Sequence, residues 1–481
     1  AVNNDVFGLA SSGTNGGQTG IAPFSIDIID QMQVVLSPYD VTLGGFAGGG
    51  VNAVTKSGTN EFAGSAYYFL QNQDLVGKTN GKEADRTGSE RTKVADFTKS
   101  TYGASLGGPI IKDKAFFFVN AELQKDETPA PFNPELYTNE PNRASIADLE
   151  NLSSYLQNTY GYDPGTFGDT SDELEGLKIF AKVDINLNDN NKLTIRHNYT
   201  KAEQFNRNVG NSRNIDFSNN GVFFPSTTNS SAVELNTTIG TGMSNNLIIG
   251  YTTVDDDRGS LGQDFPYVRI DDGNGLIEFG TEPFSTGNIL TQKIISITDN
   301  FKIYKGKHTW TIGTHNEFYD IFNLFLPWNF GQYEYDSLDD FISGAPAADY
   351  RRVYSLVDGI TGDGSAAAAE FNAMQLGIYA QDQIQVNEKL SITAGLRLDM
   401  PILTDDPGEA PRFNDEVLPR LAAQFDVAND VRAGEAPDGQ LMISPRIGFD
   451  YAIEDDRSSV LRGGVGIFTS RIPFVWPGAM Y

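Results

Sequence analysis

The feature that most restricts this chain is a two-residue alternation of apolar and polar side chains, recurring from residue 61 onward. In 390–399, Leu390, Ile392, Ala394, Leu396 and Leu398 share one face, while Ser391, Thr393, Gly395, Arg397 and Asp399 share the other. Met374, Leu376, Ile378 and Ala380 likewise oppose Gln375, Gly377, Tyr379 and Gln381. In 177–187, Leu177, Ile179, Ala181, Val183, Ile185 and Leu187 oppose Lys178, Phe180, Lys182, Asp184 and Asn186. Successive side chains of a strand point to opposite sides, so each segment reads as a strand with one greasy and one wet face. Thirteen strands are predicted, near 61–72, 99–109, 115–125, 175–187, 192–203, 228–242, 246–258, 288–304, 308–322, 371–386, 390–401, 441–454 and 458–470.

The connections alternate in length. Short turns fall at 110–114, 188–191, 244–245, 305–307, 387–389 and 455–457. Long polar loops fill 73–98, 126–174, 204–227, 259–287, 323–370 and 402–440. A soluble sandwich has no reason to sort its connections by length to opposite ends, whereas a barrel crossing an outer membrane does so routinely. The expected fold is therefore mainly β, a transmembrane antiparallel barrel with its apolar face toward lipid. No uncharged apolar run approaches the ~18 residues of a membrane helix, and a barrel needs none. Phe116, Phe117 and Phe118 follow one short turn and Trp310 another, where an interfacial aromatic girdle is expected.

Composition narrows the chemistry. The chain has 481 residues, a formal charge of −28, 50 Gly, 31 Phe, 20 Tyr and no Cys. Disulfides, thiol nucleophiles and Cys-based zinc sites are thereby excluded. The acidity argues against nucleic acid as a partner, and the aromatic content against disorder. Of the three histidines, His308 and His315 are an odd seven residues apart on one strand and point to opposite faces. Gly48-x-Gly50-x-x-Ala53 matches a dinucleotide fingerprint but opens a strand, not a helix. Gly77-Lys78-Thr79 lacks the upstream glycine of a phosphate loop. Acidic clusters at 255–257 and 271–275 have oxygen ligands suited to Ca²⁺, but they read chiefly as solvated loop charge, the second as a hairpin turn between Tyr267–Ile270 and Leu276–Phe279. No cofactor and no enzyme is expected. Arg397, Asp399, Arg446, Asp450 and Arg462 fall on wet faces, placing them in the lumen as contacts to a plug or to cargo.

Residues 1–60 differ from the rest, being small and glycine-rich. Ser25–Asp30 suggests one capped helical turn, and Met32–Leu36 and Val51–Lys56 read as strands. The stretch Ser37-Pro38-Tyr39-Asp40-Val41 through Gly44-Gly45-Phe46-Ala47-Gly48-Gly49-Gly50-Val51-Asn52-Ala53-Val54-Thr55-Lys56-Ser57-Gly58-Thr59-Asn60 resembles the plug-to-barrel junction of TonB-dependent outer-membrane receptors. Leu106-Gly107-Gly108-Pro109-Ile110, Tyr379-Ala380-Gln381-Asp382 and Gly395-Leu396-Arg397-Leu398-Asp399 resemble later hairpins of that family. Ser444-Pro445-Arg446-Ile447-Gly448-Phe449 and Arg462-Gly463-Gly464-Val465-Gly466 resemble its Oar-like branch.

The resemblance implies the end of a plug domain over 1–60 and the first part of a barrel over 61–481. It implies 22 strands in the full protein, so the chain is expected to be part of a longer polypeptide. It marks Gly44, Gly45, Phe46, Gly48, Gly49, Gly50, Asn52 and Lys56 as the junction, with the glycines turning the backbone where the plug passes into the first strand. It implies residence in the outer membrane of a Gram-negative bacterium. The implied partners are the inner-membrane TonB complex, outer-membrane lipid and an extracellular ligand, with a surface lipoprotein or assembly-complex subunits as further candidates. The implied activity is energy-coupled uptake of a bulky ligand. The alternatives are a plugged-barrel scaffold in an assembly or secretion complex and, less well supported, a surface adhesin.

Overall fold

The structure, a computed structural model, describes residues 19–481 apart from 37–38, 46–48, 79–80, 83–85, 87, 89, 356–363, 428–430 and 472–473. Near its start, β1 (Ile29–Leu36) and β2 (Gly49–Thr55) pair antiparallel as a separate two-stranded sheet. A 3-10 turn, Ile26–Ile28, precedes β1 and is capped by Ser25, whose Oγ accepts from the Asp27 N–H.

All thirteen predicted strands form and build one antiparallel sheet. They are β3 (Ala63–Asn72), β4 (Thr98–Ile111), β5 (Ala115–Ala130), β6 (Thr170–Asn188), β7 (Asn191–Asn206), β9 (Val222–Ile239) and β10 (Met243–Ser260). The set continues with β13 (Asn288–Lys305), β14 (His308–Phe325), β17 (Ala369–Gln385), β18 (Leu390–Leu403), β19 (Met442–Ala452) and β20 (Val460–Gly466). Each strand pairs with its predecessor and successor in this series, leaving β3 and β20 as the edges of an open sheet. Several strands run to 18 or 19 residues, well beyond the ~9–11 that cross a bilayer, and so carry the sheet outward past it.

Parity decides the faces. Lys178, Phe180 and Asp184 of β6 are buried on the inner side, while Ile179 between them is 41% exposed. Across strands the outer residues fall into apolar rows. Ile195 pairs with Val233, Val233 with Ile249, and Ile249 with Ile297. Ile378 pairs with Leu398, which pairs with Ile443. Such rows are stable beside hydrocarbon, and between the two edge strands the ladder hydrogen bonds satisfy the backbone within the sheet.

The aromatic girdle needs correction. Phe117 and Trp310 face outward, Phe117 packing on Phe62 and Trp310 stacking on His308 at 5.1 Å. Phe118 points inward and is buried against Phe180 and Ile28. It shares parity with Asn120 and Glu122, so it faces residues 24–29 and not the lipid boundary.

The long loops are not merely polar connections. The strands β8 (Asn214–Asp216), β11 (Tyr267–Asp272), β12 (Gly275–Phe279), β15 (Gln332–Tyr335) and β16 (Asp349–Arg351) form a second sheet in the order β16-β15-β11-β12-β8. The β11–β12 hairpin was expected; the other three strands were not. A helix, Ile146–Tyr160, opens with a Ser145/Asp148 capping box and ends on Gly161 at φ +67°. Its Leu149, Leu152 and Leu156 pack with Tyr137, Ile215, Phe217, Ile270, Ile277, Phe279 and Phe341 in a closed core. Four loops thus contribute to one external domain. The segments that build it, 131–169, 207–221, 261–287 and 326–368, together hold 19 acidic and 6 basic residues.

Candidate functional site

Residues 19–60 lie against the inner face of the large sheet and are held at two separate places. The first anchorage is on β3–β7. Ser25 Oγ donates to Glu122 Oε2 at 2.7 Å, and Tyr67 OH donates to the same oxygen at 2.5 Å. Lys178 Nζ donates to the other oxygen at 2.7 Å, making an ion pair with both side chains buried. Removing either partner of such a pair strands a charge away from water. Asp27 accepts from Ser65, Lys56 and Asn120. Burial pushes the Asp27 carboxyl up, but hydrogen bonds from Ser105, Ser65 and Lys56 together hold it below its ordinary value. Lys182 Nζ donates to the Thr55 carbonyl and to Ser57 Oγ, while Asn198 and Thr200 both donate to the Pro23 carbonyl.

The second anchorage joins residues 39–45 to β17–β20. Arg397 Nε sits 2.9 Å from both carboxylate oxygens of Asp399, and both side chains are almost wholly buried. Arg397 Nη1 also donates to the Val41 carbonyl at 3.2 Å. Arg446 Nη1 donates to the carbonyls of Asp40 and Leu43, at 2.9 and 2.7 Å. The Val41 N–H donates to Gln381 Oε1, and Tyr39 OH to the Gly464 carbonyl. Two arginines therefore hold a backbone, which accepts through its carbonyls whatever its side chains are.

The close approach depends on missing side chains. A Cβ on Gly395 would lie 2.7 Å from Val41 Cγ1, and one on Gly448 2.7 Å from Tyr39 Cβ. A Cβ on Gly464 would lie 2.7 Å from Tyr39 Cζ, and one on Gly44 only 2.4 Å from Arg397 Cζ. Glycines on three neighbouring strands thus make a slot for residues 39–41, and Gly44 lets the Arg397 guanidinium lie against its backbone.

Several residues singled out in the sequence meet here: Arg397, Asp399, Arg446, Gly44 and Gly45. Gly45 adopts φ +77° and bridges to Ser470, and Arg471 beyond it pairs with buried Glu317. Asp450 and Arg462 share the inner face but pair with each other at 2.6 Å. Gly49, Gly50 and Asn52 belong to β2, opposite Leu36, Val35 and Gln33, and Lys56 pairs with Asp27. Phe46 and Gly48 lie outside the described residues. Gly49 and Gly50 thus open β2, and the passage into the barrel lies at the far end of the 37–60 stretch. That passage is 56–62, where Gly58 presses on backbone: its Cβ would lie 2.2 Å from the Phe117 carbonyl oxygen.

The sequence reading missed Glu122, Lys178, Lys182, Ser25 and Asp27. Glu122 and Lys178 face each other across β5 and β6 on the wet parity, a signal that was present in the alternation. His197, His308 and His315 each bond a different partner: Ser231, Asp382 and Thr298. Asp256 points inward while Asp255 and Asp257 take the opposite face of β10, so that acidic run does not converge on one point. Among the described residues no group of three or more His, Cys, Asp or Glu could hold a metal ion.

Comparison with known proteins places this arrangement. A family model described as an outer membrane beta barrel domain matches residues 54–179 and 137–476. The TonB-dependent transporter Oar of Myxococcus xanthus is 30% identical over 132 residues, 24% of this chain and 12% of that protein. The outer membrane transporter YddB of Escherichia coli has the same fold, with a TM-score of 0.57 at 13% identity, over 94% of this chain and 49% of its own. A ferric enterobactin receptor (PfeA) mutant of Pseudomonas aeruginosa gives 0.51 at 14% identity, over 92% of this chain and 48% of its own. The copper transporter OprC gives 0.51 at 9% identity, over 93% of this chain and 51% of its own. The chain spans about half the length of these solved proteins and matches a much smaller share of the Myxococcus relative. Family match, lipid-facing rows and sorted connections agree: the chain belongs to the outer membrane beta barrel domain family and is a protein of the outer membrane.

Proposed function

We propose that this chain is the plug-bearing part of a TonB-dependent importer, which captures a bulky ligand outside and releases it inward when force displaces the plug. The observation that carries the reading is the manner in which residues 19–60 are held. Most of the contacts are discrete side-chain hydrogen bonds and ion pairs, clustered in two places. Such contacts are directional and few, so a pull on the segment can release them one at a time, and they reform without chemistry once it is back in place. The external domain built from long loops supplies a structured surface for capture. The similarity to a TonB-dependent transporter supports energy coupling, and the inner-membrane TonB complex is the partner it implies.

Locking the plug tests this. A Cβ at Gly395 lies 2.7 Å from Val41 Cγ1, close to the ~3 Å that separates one Cβ from its partner's sulfur in a disulfide. The pair Val41→Cys and Gly395→Cys, in a chain otherwise free of cysteine, should therefore form a reducible lock. Cells carrying the full-length protein are compared with a deletion strain by mass spectrometry of the spent medium, with and without a protonophore. The reading expects solutes whose depletion requires the protein and an energised membrane, stops in the oxidised double variant, and returns on reduction. Unchanged depletion on deletion, together with stable co-purification of non-transport subunits, would replace it with the scaffold role.

A further inference from the structure

The outward face of the wall carries a cluster that neither the plug nor the external domain uses. Within Tyr379-Ala380-Gln381-Asp382, Gln381 faces inward to hold Val41, while Asp382 shares the outward parity of the exposed Ile378. Asp382 lies opposite Trp310 across β14 and β17, and its Oδ2 is 2.7 Å from His308 Nδ1. A carboxylate only accepts, so Nδ1 carries the proton and Nε2 is the ring nitrogen left for a ligand. Trp310 holds the imidazole from a second side, the two rings stacked within 11° of parallel. Lys305 stands opposite His308 on the same face. With β13 and β17 bonded on either side, β14 is interior to the sheet and its outward face meets lipid. The next charged residue on that face of β14 is Asp320, ten places on, which pairs with Lys293 at 3.0 Å. At ~3.3 Å per residue and a tilt of ~45°, the two levels lie about 23 Å apart, close to the ~25 Å apolar band of a barrel. Thr314 and Asn316 between them spend their polar groups on each other and on the Gly377 backbone. His308 and Trp310 therefore stand at the hydrocarbon boundary on the short-turn side.

The charge at this boundary runs against that of the chain. Residues 300–316 hold three Lys, two His and no Asp or Glu, in a chain of formal charge −28. Among the six short turns, 305–307 alone has two lysines and no acid; 110–114 includes Asp113, and 455–457 has two aspartates. Lys389 of the adjacent turn is taken by Asp455 at 2.6 Å. Lys307 Nζ donates to the Val386 carbonyl at 2.7 Å, and among the described residues neither Lys305 nor Lys307 pairs with a carboxylate. Basic side chains attract an anionic lipid surface, and interfacial tryptophan sits at headgroup level. A free inorganic anion would gain nothing from Trp310, Ile303 and Ile312 beside these cations. A phosphate that carries acyl chains would cover all three.

We propose that this hairpin binds the headgroup of an anionic phospholipid in the periplasmic leaflet, with the phosphate between the Lys305 ammonium and the His308 imidazolium and the acyl chains along Trp310 and Ile312. Asp382 is a positioning residue, which holds the imidazole so that Nε2 turns to the lipid. The inference is independent of whether the protein transports a solute. Its test places a photoreactive residue, Ile312→p-benzoylphenylalanine or Ile195→p-benzoylphenylalanine, in the full-length protein. Ile195 is the matched control, an outward residue four places into β7 as Ile312 is four places into β14. Each protein is reconstituted in phosphatidylcholine vesicles with a minor share of phosphatidylglycerol, and the crosslinked lipid is identified by mass spectrometry. The phosphatidylglycerol share at Ile312 should exceed that at Ile195 by about threefold or more. Adding Lys305→Gln with His308→Gln should remove the excess. Asp382→Ala takes away a negative charge and should nonetheless lower the excess by about twofold or more, because His308 loses the group that orients it. A rise in Asp382→Ala would show that loose surface charge draws the lipid, and would overturn the site. So would an excess that persists without Lys305 and His308. Equal shares at Ile312 and Ile195 in otherwise unaltered protein would refute the proposal whether or not the charge variants fold.

Discussion

Replacing Gly44 by alanine puts the seating of residues 39–45 under direct strain. The added Cβ would lie 2.4 Å from both Cζ and Nε of Arg397. The guanidinium has little freedom to retreat. It is bidentate to Asp399, donates to the Val41 carbonyl, and has Gly377 behind it with room only for a hydrogen. Alanine must either drag Arg397 off charge-assisted bonds worth about 1.5–3 kcal/mol each, or lift the plug backbone at an overpacking cost of about 1–3 kcal/mol. A loss of about 2–3 kcal/mol would make transient opening of this segment about 30- to 150-fold more frequent, at ~1.4 kcal/mol per factor of ten. Val41 is fully buried, so Val41→Cys reports the open fraction through its rate of reaction with a thiol reagent under conditions where reclosing is fast relative to labelling. The full-length protein carrying this cysteine is compared with and without Gly44→Ala. Rates within twofold of each other would refute the reasoning. In a background where Arg397→Met and Asp399→Leu remove the clashing partner, most of the effect should vanish, a coupling of about 1–3 kcal/mol for groups in contact.

Three further outcomes follow from the same geometry. Lys178→Met leaves Glu122 buried and unpaired, and should destabilise plug seating by about 3–5 kcal/mol in denaturant titrations. The double change Lys178→Met with Glu122→Leu should recover much of that loss. In the external sheet, burial and the neighbouring Glu278 push the Asp216 carboxyl up to about 7 from 3.8, so folding favours the protonated form. Stability from this pair is therefore fully present below pH 3.8 and lost as pH rises to about 7. Amides of 214–216 and 276–278 should show more hydrogen-exchange protection at pH 5 than at pH 8 after correction for intrinsic rates, and Asp216→Asn should flatten the difference. Leu152→Ala, at a fully buried position of the external core, should cost that domain about 2–5 kcal/mol. Exchange should then rise across the external domain while wall amides stay protected.

The wall was legible because strand alternation is local: Leu390 to Asp399 declare their faces with no knowledge of their neighbours. The charged inner residues could be located for the same reason, since Arg397 and Arg446 lie on a parity shared with Gly395 and Gly448. The external domain was not legible as a unit. Its core is assembled from four loops, and Ile215, Ile270, Phe279 and Phe341 lie on three of them in segments too short to show a period of their own. The helix did carry a signal. Ser145 and Asp148 stand at capping distance, Leu149, Leu152 and Leu156 at helical spacing, and Gly161 at the stop, all inside a stretch read as polar loop. Phe116–Phe118 misled for a related reason: a run of three identical residues hides the alternation that separates lipid-facing Phe117 from plug-facing Phe118.

The reach of the second anchorage also bears on assembly. Tyr39 meets Gly464 across 425 residues of chain, and Arg446 meets Leu43 across 403. A segment made early must therefore wait for strands made late, and contacts of such separation are slow to form. Until β18, β19 and β20 are aligned, the carbonyls of residues 40–43 lack their arginines and the glycine slot has no floor. Only a wall of the correct curvature brings Gly395, Gly448 and Gly464 into touch with Tyr39 and Val41 at once. Residues 39–44 thus act as a gauge, fitting only a wall that has been built to the right radius.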